Sequence, residues 1–296
     1  MVIMCKAYHY KWYSDNMQTA AKKAGLLMYI DFHTHAFADA IAERAVAKLE
    51  NTIMTSGYPK PVPPVTRGTV GELLQKLDEW GVDKGVLLPI ATKPSQQRTI
   101  NDWAASVQCD KLYCFGTVHP DAEDALTELE RVKSLGLRGV KLHPDYQGFF
   151  ADEERIFPIY RKCAELGLPV ILHAGLDALS MDCIHCTPQM SARVLDAVPE
   201  MTLILAHFGG NELWDDVEKY LVGRNVYFDT AFIDGSISDE QALRIIKAHG
   251  ADKILLASDC PWHPSSAEIG LINRLDLSDT EREMICSGNA LKLLGE

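Results

Sequence analysis

The chain has 296 residues, 29 Lys plus Arg against 41 Asp plus Glu, and a net charge of −12. With 47% hydrophobic and 24% charged residues it has the composition of an ordinary globular protein, which excludes a wholly disordered chain and gives no support to a collagen-like or coiled-coil one. The acidic balance argues against nucleic acid as a partner but leaves room for a small anionic substrate beside a local cation.

Residues 1–27 are mixed in character and carry Lys6, Lys11, Lys22 and Lys23, with no apolar core or small-residue cleavage site of a secretory signal. They are expected to form an N-terminal extension, with residues 28–296 as one domain. No apolar run reaches the roughly 18 residues that a membrane helix needs, so no membrane partner and a cytoplasmic location are expected. Eight scattered cysteines do not make a secreted disulfide framework. The lone Cys183-x-x-Cys186 pair is a weak zinc signal, because no partner pair accompanies it.

From residue 28 onward one unit recurs: a short β-type apolar run, a polar loop, then a helical pattern. The β-type runs cover 28–33, 85–90, 112–118, 139–143, 169–173, 202–207, 226–230 and 253–259. Most are near-continuous in apolar residues, as parallel strands covered on both faces should be. Amphipathic helical patterns fall at 69–80, 121–135, 152–166, 189–198, 212–221 and 240–248. Gly81, Gly136, Gly167 and Gly250 stand at or just after helix ends, and Thr187 before Pro188 reads as an N-cap followed by proline at the first helical position. Two further helical patterns, 267–275 and 280–294, follow the last strand. Eight βα units in a chain of this length predict an α/β fold, a (β/α)₈ TIM barrel, over a doubly wound sheet, for which a glycine-rich phosphate turn is missing. Between the first and second strands lies an insertion, with a helix-like stretch at 38–49 and a turn-rich stretch at 56–67. It reads equally as a lid over the barrel mouth or as a passive insertion.

Chemistry-bearing residues close these strands. Asp31, His33 and His35 end the first, Lys141 and His143 the fourth, His173 the fifth, His207 the sixth and Asp259 the eighth. Strand alternation predicts that His33 and His35 point into the mouth while Ile30 and Phe32 face the helices. It likewise puts Lys141 and His143 inward with Val140 and Leu142 outward, and His207 inward with Ile204 and Ala206 outward. Imidazoles gathered with a carboxylate at the C-terminal face point to a divalent metal, with zinc preferred.

The ordered motifs Asp31-Phe-His-Thr-His35, Gly139-Val-Lys-Leu-His-Pro144, Leu172-His-Ala174, Leu205-Ala-His-Phe-Gly-Gly210 and Ala257-Ser-Asp-Cys-Pro-Trp262 resemble the amidohydrolase superfamily. More narrowly, they resemble its amidohydrolase-related branch, which includes aminocarboxymuconate-semialdehyde decarboxylase-like enzymes. The resemblance implies that His33, His35, His173 and Asp259 hold one catalytic metal. It makes His207 a second-metal ligand or a catalytic acid/base, and Asp259 a proton carrier as well as a ligand. Lys141 is either a cation that pairs with a substrate anion, together with His143, or, as in dihydroorotase-like members, a carboxylated bridge between two metals. One metal with a cationic Lys141 is preferred.

The expected function is hydrolysis of an amide, lactone or ester in a small, anionic molecule through metal-activated water. The alternative is metal-dependent decarboxylation of an aromatic or unsaturated carboxylic acid in the same pocket, with Arg98, after the second strand, as a further anion holder. A homodimer is expected only as the commonest state of soluble enzymes.

Overall fold

The computed structural model describes residues 27–296, so the expected N-terminal extension lies, Leu27 apart, outside the described residues. Eight strands follow in order: β1 Ile30–Thr34, β2 Lys84–Leu87, β3 Leu112–Cys114, β4 Val140–Leu142, β5 Val170–Leu172, β6 Leu203–Leu205, β7 Tyr227–Asp229 and β8 Ile254–Leu255. Every neighbouring pair is parallel, in two runs, β1-β2-β3 and β4-β5-β6-β7-β8. Single bridges join the runs, Gly116 with Val140 on one side and Thr34 with Cys260 on the other. Phe32 N–H donates to Leu256 O and Lys141 N–H to Gly116 O, both at 2.8 Å, so the ladder closes into the expected barrel.

Helices follow the strands and cover the outside. The largest apolar cluster joins outward strand residues such as Leu87, Cys114, Val140, Leu142 and Leu205 to the helices. A second, inner cluster joins alternate residues, among them Ile30, Phe32, Val86, Phe115, Ile171 and Ile204. Phe32 meets Phe115 edge-on at 5.7 Å, although β2 lies between their strands, so both rings fill the barrel interior.

Strands β1 and β6 depart from the expected alternation. Ile30, Phe32 and Ile204 face the interior, not the helices. Two irregularities then carry the imidazoles above them to the mouth. The register of β1 against β2 shifts between Asp31 and Thr34. At the end of β6, His207 and Phe208 adopt φ of 57° and 60°, turning the chain over after Leu205. Val140 and Leu142 do face outward, and Lys141 inward, as the pattern of β4 requires.

The segment after β1 holds α1 (Ala42–Thr55) and α2 (Val70–Glu79). The chain returning from α1 is anchored where Val65 N–H donates to Pro261 O at 2.7 Å, and Phe37 N–H to Gly68 O at 2.8 Å. After β2 comes α3 (Gln97–Val107), a helix that hydrophobic periodicity does not reveal, because it buries Gln97, Asn101 and Ala104. The Asn101 amide donates to Thr117 O at 2.9 Å and to Glu128 at 2.7 Å, so polar pairing replaces an apolar stripe. Arg98, expected in a loop against substrate, sits on this helix with its side chain exposed and does not line the central cavity. Among the described residues no helix is long and apolar enough to cross a membrane.

Candidate metal centre and active site

The C-terminal ends of the strands bring the expected groups into two corners of one mouth. In the first corner stand His33, His35 and Asp259, whose ligand atoms all lie within 4.8 Å of one another. His33 Nε2 is 3.1 Å from His35 Nε2 and 3.4 Å from Asp259 Oδ1, and His35 Nε2 is 3.2 Å from the same oxygen. The other face of each ring fixes its tautomer. His35 Nδ1 is 2.7 Å from the Leu88 carbonyl, and His33 Nδ1 is 2.8 Å from Asp229 Oδ2. Both partners only accept, so each Nδ1 carries the proton and each Nε2 presents a bare lone pair. Two lone pairs and a carboxylate thus face one another at contact distance. Only the buried Lys141 ammonium, 3.2 Å from His33 Nε2, opposes them. That donor set has the chemistry of a cation site and fits a divalent metal with nitrogen and oxygen ligands.

The backbone is shaped around this corner. Asp259 holds φ at 73°, rare for a residue with a side chain, and its N–H donates to His33 O at 2.8 Å. Asp31 accepts His33 N–H at 3.1 Å, Ser258 N–H at 3.0 Å and the Ser265 hydroxyl. It therefore ties β1 to the loop after β8 rather than touching the imidazoles. Burial holds the His33 ring well below the ordinary imidazole range, with Lys141 adding to the effect. It pushes Lys141 down and Asp229 up, against the attraction between the two charges.

The second corner contains His143, His173, His207 and Asp177. His207 Nδ1 donates to Ala231 O at 2.9 Å, leaving its Nε2 to accept from His173 Nδ1 at 3.0 Å. His173 Nε2 is then a buried lone pair without a hydrogen-bond partner, 3.6 Å from Asp177 Oδ2. His143 stacks on His173 with ring centres 4.2 Å apart, and its Nε2 is 3.7 Å from the same Asp177 oxygen. Desolvation, with Asp145 adding to it, pushes the Asp177 carboxyl up to about 7. The loops after β5 and β6 lock at Gly175, where φ is 87° and a Cβ would lie 2.1 Å from Asn211 N.

The expected four-ligand set is thus divided. The structure brings His33, His35 and Asp259 together, whereas His173 groups with His143 and Asp177. His143, expected against substrate beside Lys141, stacks within that second group. Asp177 carries no signal in the sequence. Asp229 does carry one, since a carboxylate ends the apolar run of β7 much as histidines end other strands. Cys186 is buried with its thiol 3.4 Å from Ser191 Oγ, and Cys183 is exposed.

Both corners open into one cavity of about 430 Å³. Its floor is the histidine and carboxylate set with Lys141. Its walls include Tyr58, Tyr146, Trp103 and Trp262, and α1 forms the roof. The insertion therefore borders the cavity.

The family described as Amidohydrolase matches residues 30–295. The chain belongs to the amidohydrolase family. Among curated relatives it is 24% identical over 213 residues to 2-amino-3-carboxymuconate-6-semialdehyde decarboxylase of Dictyostelium discoideum, covering 58% of each protein. The chain thus spans little more than half the length of that relative. It is 22% identical over 332 aligned positions to 2-keto-4-carboxy-3-hexenedioate hydratase of a Sphingobium species, covering 90% of this chain and 96% of that one. Among solved structures, 5-carboxyvanillate decarboxylase of Novosphingobium aromaticivorans with bound manganese superposes with a TM-score of 0.70. At 18% identity, over 91% of this chain and 97% of that one, it shares the fold of this amidohydrolase.

Proposed function

We propose that this amidohydrolase is a metal-dependent decarboxylase of a small aromatic or unsaturated carboxylic acid. The observation that carries the reading is the lone-pair cage of His33, His35 and Asp259 with the Lys141 ammonium 3.2 Å from it, at the floor of an aromatic-walled cavity. The named activity of the Dictyostelium relative supports it. Hydrolysis, the first expectation from sequence, draws no support from either curated relative and gives way to the alternative.

When bound, the divalent metal supplies positive charge that draws in and polarises the acid's oxygens. The imidazoles of His33 and His35 and the Asp259 carboxylate would hold it, with Asp229 and the Leu88 carbonyl keeping both rings in the ligating tautomer. His173 Nε2 is the remaining free lone pair for it at the mouth. Zinc suits the nitrogen and oxygen donors, while the manganese of the structural relative belongs to that protein. Lys141 pairs with the substrate carboxylate as a charged donor. Loss of carbon dioxide breaks the bond to the carboxyl carbon and leaves its electron pair on the ring or alkene carbon, which then takes a proton. Asp259 would carry that proton, taken up from water, to the carbon. His207, which accepts the His173 Nδ1 proton at Nε2, is the second candidate to relay it.

A second reading is addition of water across the double bond of an unsaturated acid, which the near full-length similarity to the hydratase favours. Metal-loaded protein incubated with hydroxybenzoates and unsaturated diacids separates the two. Carbon dioxide release from an acid is the expected result. A product heavier by one water, with no carbon dioxide, overturns it. Elemental analysis of the Lys141→Met variant tests the lysine. Metal content held at one ion per chain is expected for an ammonium, whereas a fall from two ions would mark a carboxylated bridge.

A further inference from the structure

The roof of the cavity contains a feature that metal chemistry does not use. Ile41, Ala45, Leu49 and Ile53 lie four residues apart on one face of α1 and its N-cap, and all four line the cavity. Buried Ala42 and Val46 flank the stripe on the same side of α1. The four lining residues lie apart from the core: none belongs to either apolar cluster or packs against one. An apolar stripe turned toward open volume costs free energy in proportion to its wetted area unless another apolar surface covers it. Ile100 and Trp103 of α3 also line the cavity, beside the polar side chains of Thr92, Gln96 and Thr99.

Charge is distributed in the opposite way. Among the described residues, Lys141 is the one Lys or Arg side chain that lines the cavity, and it stands at the floor. The lining carboxylates are Asp177 and Asp259, also at the floor end with the histidines. A ligand with one anionic group can place it against Lys141 and the metal. A second anionic group at the far end would meet α1 with no cation to receive it, and would bear the full cost of losing water.

We propose that the cavity selects monocarboxylic acids whose far side is a hydrocarbon group, seated on the Ala45, Leu49 and Ile53 stripe. This rests on the reading above only in placing the acid's carboxylate at the floor. The stripe is a specificity surface, and it rejects dicarboxylates as much as it attracts alkyl or aryl groups.

The test is calorimetric binding to the metal-loaded full chain. The probes are benzoates with a methyl, ethyl or propyl group para to the carboxylate, together with terephthalate, which carries a second carboxylate there. The expected result is a Kd that falls roughly fourfold per methylene when the group is fully covered. Terephthalate is expected to bind at least ten times more weakly than the propyl compound. Leu49→Asn and Ile53→Asn each flatten the series, whereas Leu126→Asn, an exposed apolar residue on a different helix, leaves its slope intact. A flat series in the wild type overturns the proposal, as does terephthalate binding as tightly as the propyl acid. A slope that survives both stripe variants, or failure of all four acids to bind, overturns it too. Carbon dioxide is measured with the 2-hydroxy derivatives of the same acids, whose hydroxyl can take up charge as the carboxylate leaves. A steep series without its release sinks decarboxylation and leaves the subsite standing, while release with a flat series does the reverse.

Discussion

The two ends of the barrel solve opposite problems. At the N-terminal end, charged side chains near the plug are paired. Lys84 Nζ donates to Tyr113 Oη at 2.6 Å, Lys253 sits 4.4 Å above the Tyr227 ring, and Arg138 Nη1 donates to Leu294 O at 3.1 Å. Ala290 and Leu294 of the last helix, α12 (Asn289–Leu294), seal the inner cluster there. At the C-terminal end, buried His143 Nδ1, His173 Nε2 and Asn211 Oδ1 have no partner, and two imidazole lone pairs face a carboxylate. The contrast teaches where stability and reactivity lie. The lower layers hold the chain together, and the upper layer carries the donors suited to a cation.

The largest effect that tests this contrast is at the cage. His33→Ala, or exhaustive chelation of the wild type, should abolish bound metal by elemental analysis. It should lower turnover on the order of 10³-fold, since several kcal/mol of charge stabilisation go with the ion. Turnover that survives chelation would erase the distinction between the ends. Next is the interior layer. Phe32→Ala removes a fully buried ring and should cost about 3–5 kcal/mol in denaturant unfolding, with metal per folded chain unchanged. A variant that loses metal in proportion to stability would show that the two layers are not separable. Asp229→Asn, which weakens the partner of His33 Nδ1, should reduce metal affinity roughly 10–100-fold in a competitive chelator titration, with the unfolding midpoint of the metal-free protein little changed.

The smallest effect concerns Glu268, whose carboxyl is fully buried and accepts the N–H groups of Ile233 and Asp234 at 3.0 Å. Desolvation raises its pKa well above the ordinary glutamate value. The fold therefore favours the protonated form. The stability this group contributes is present at low pH and is lost as pH rises from the unfolded value toward the folded one. Glu268→Gln should flatten the fall in stability with pH and be neutral or stabilising at pH 8. An unchanged pH profile would remove Glu268 from the account.

Most of the barrel was legible because β-type runs and helical periodicity record burial directly. All eight strands begin within two residues of the start of their apolar runs, and the strand-end residues gather at one mouth. What was not legible depends on backbone irregularity and on polar packing. The shift in β1 and the left-handed residues after β6 reverse which residues look inward, and no apolar pattern encodes them. Helix α3 was invisible because its buried face is Gln97 and Asn101, paired by hydrogen bonds rather than by oil. The division of the histidines into two corners follows from one ring-to-ring hydrogen bond, His207 to His173, which residue spacing does not record. Asp177 reaches that corner from a loop whose path only tertiary contacts fix.

The anchor between Val65 N–H and Pro261 O has a mechanical consequence. Pro261 lies two residues beyond Asp259, so the strand of chain descending from the roof is fastened to the loop that presents a cage oxygen. The segment after α1 and the loop carrying a cage oxygen are thereby stapled at a single backbone link.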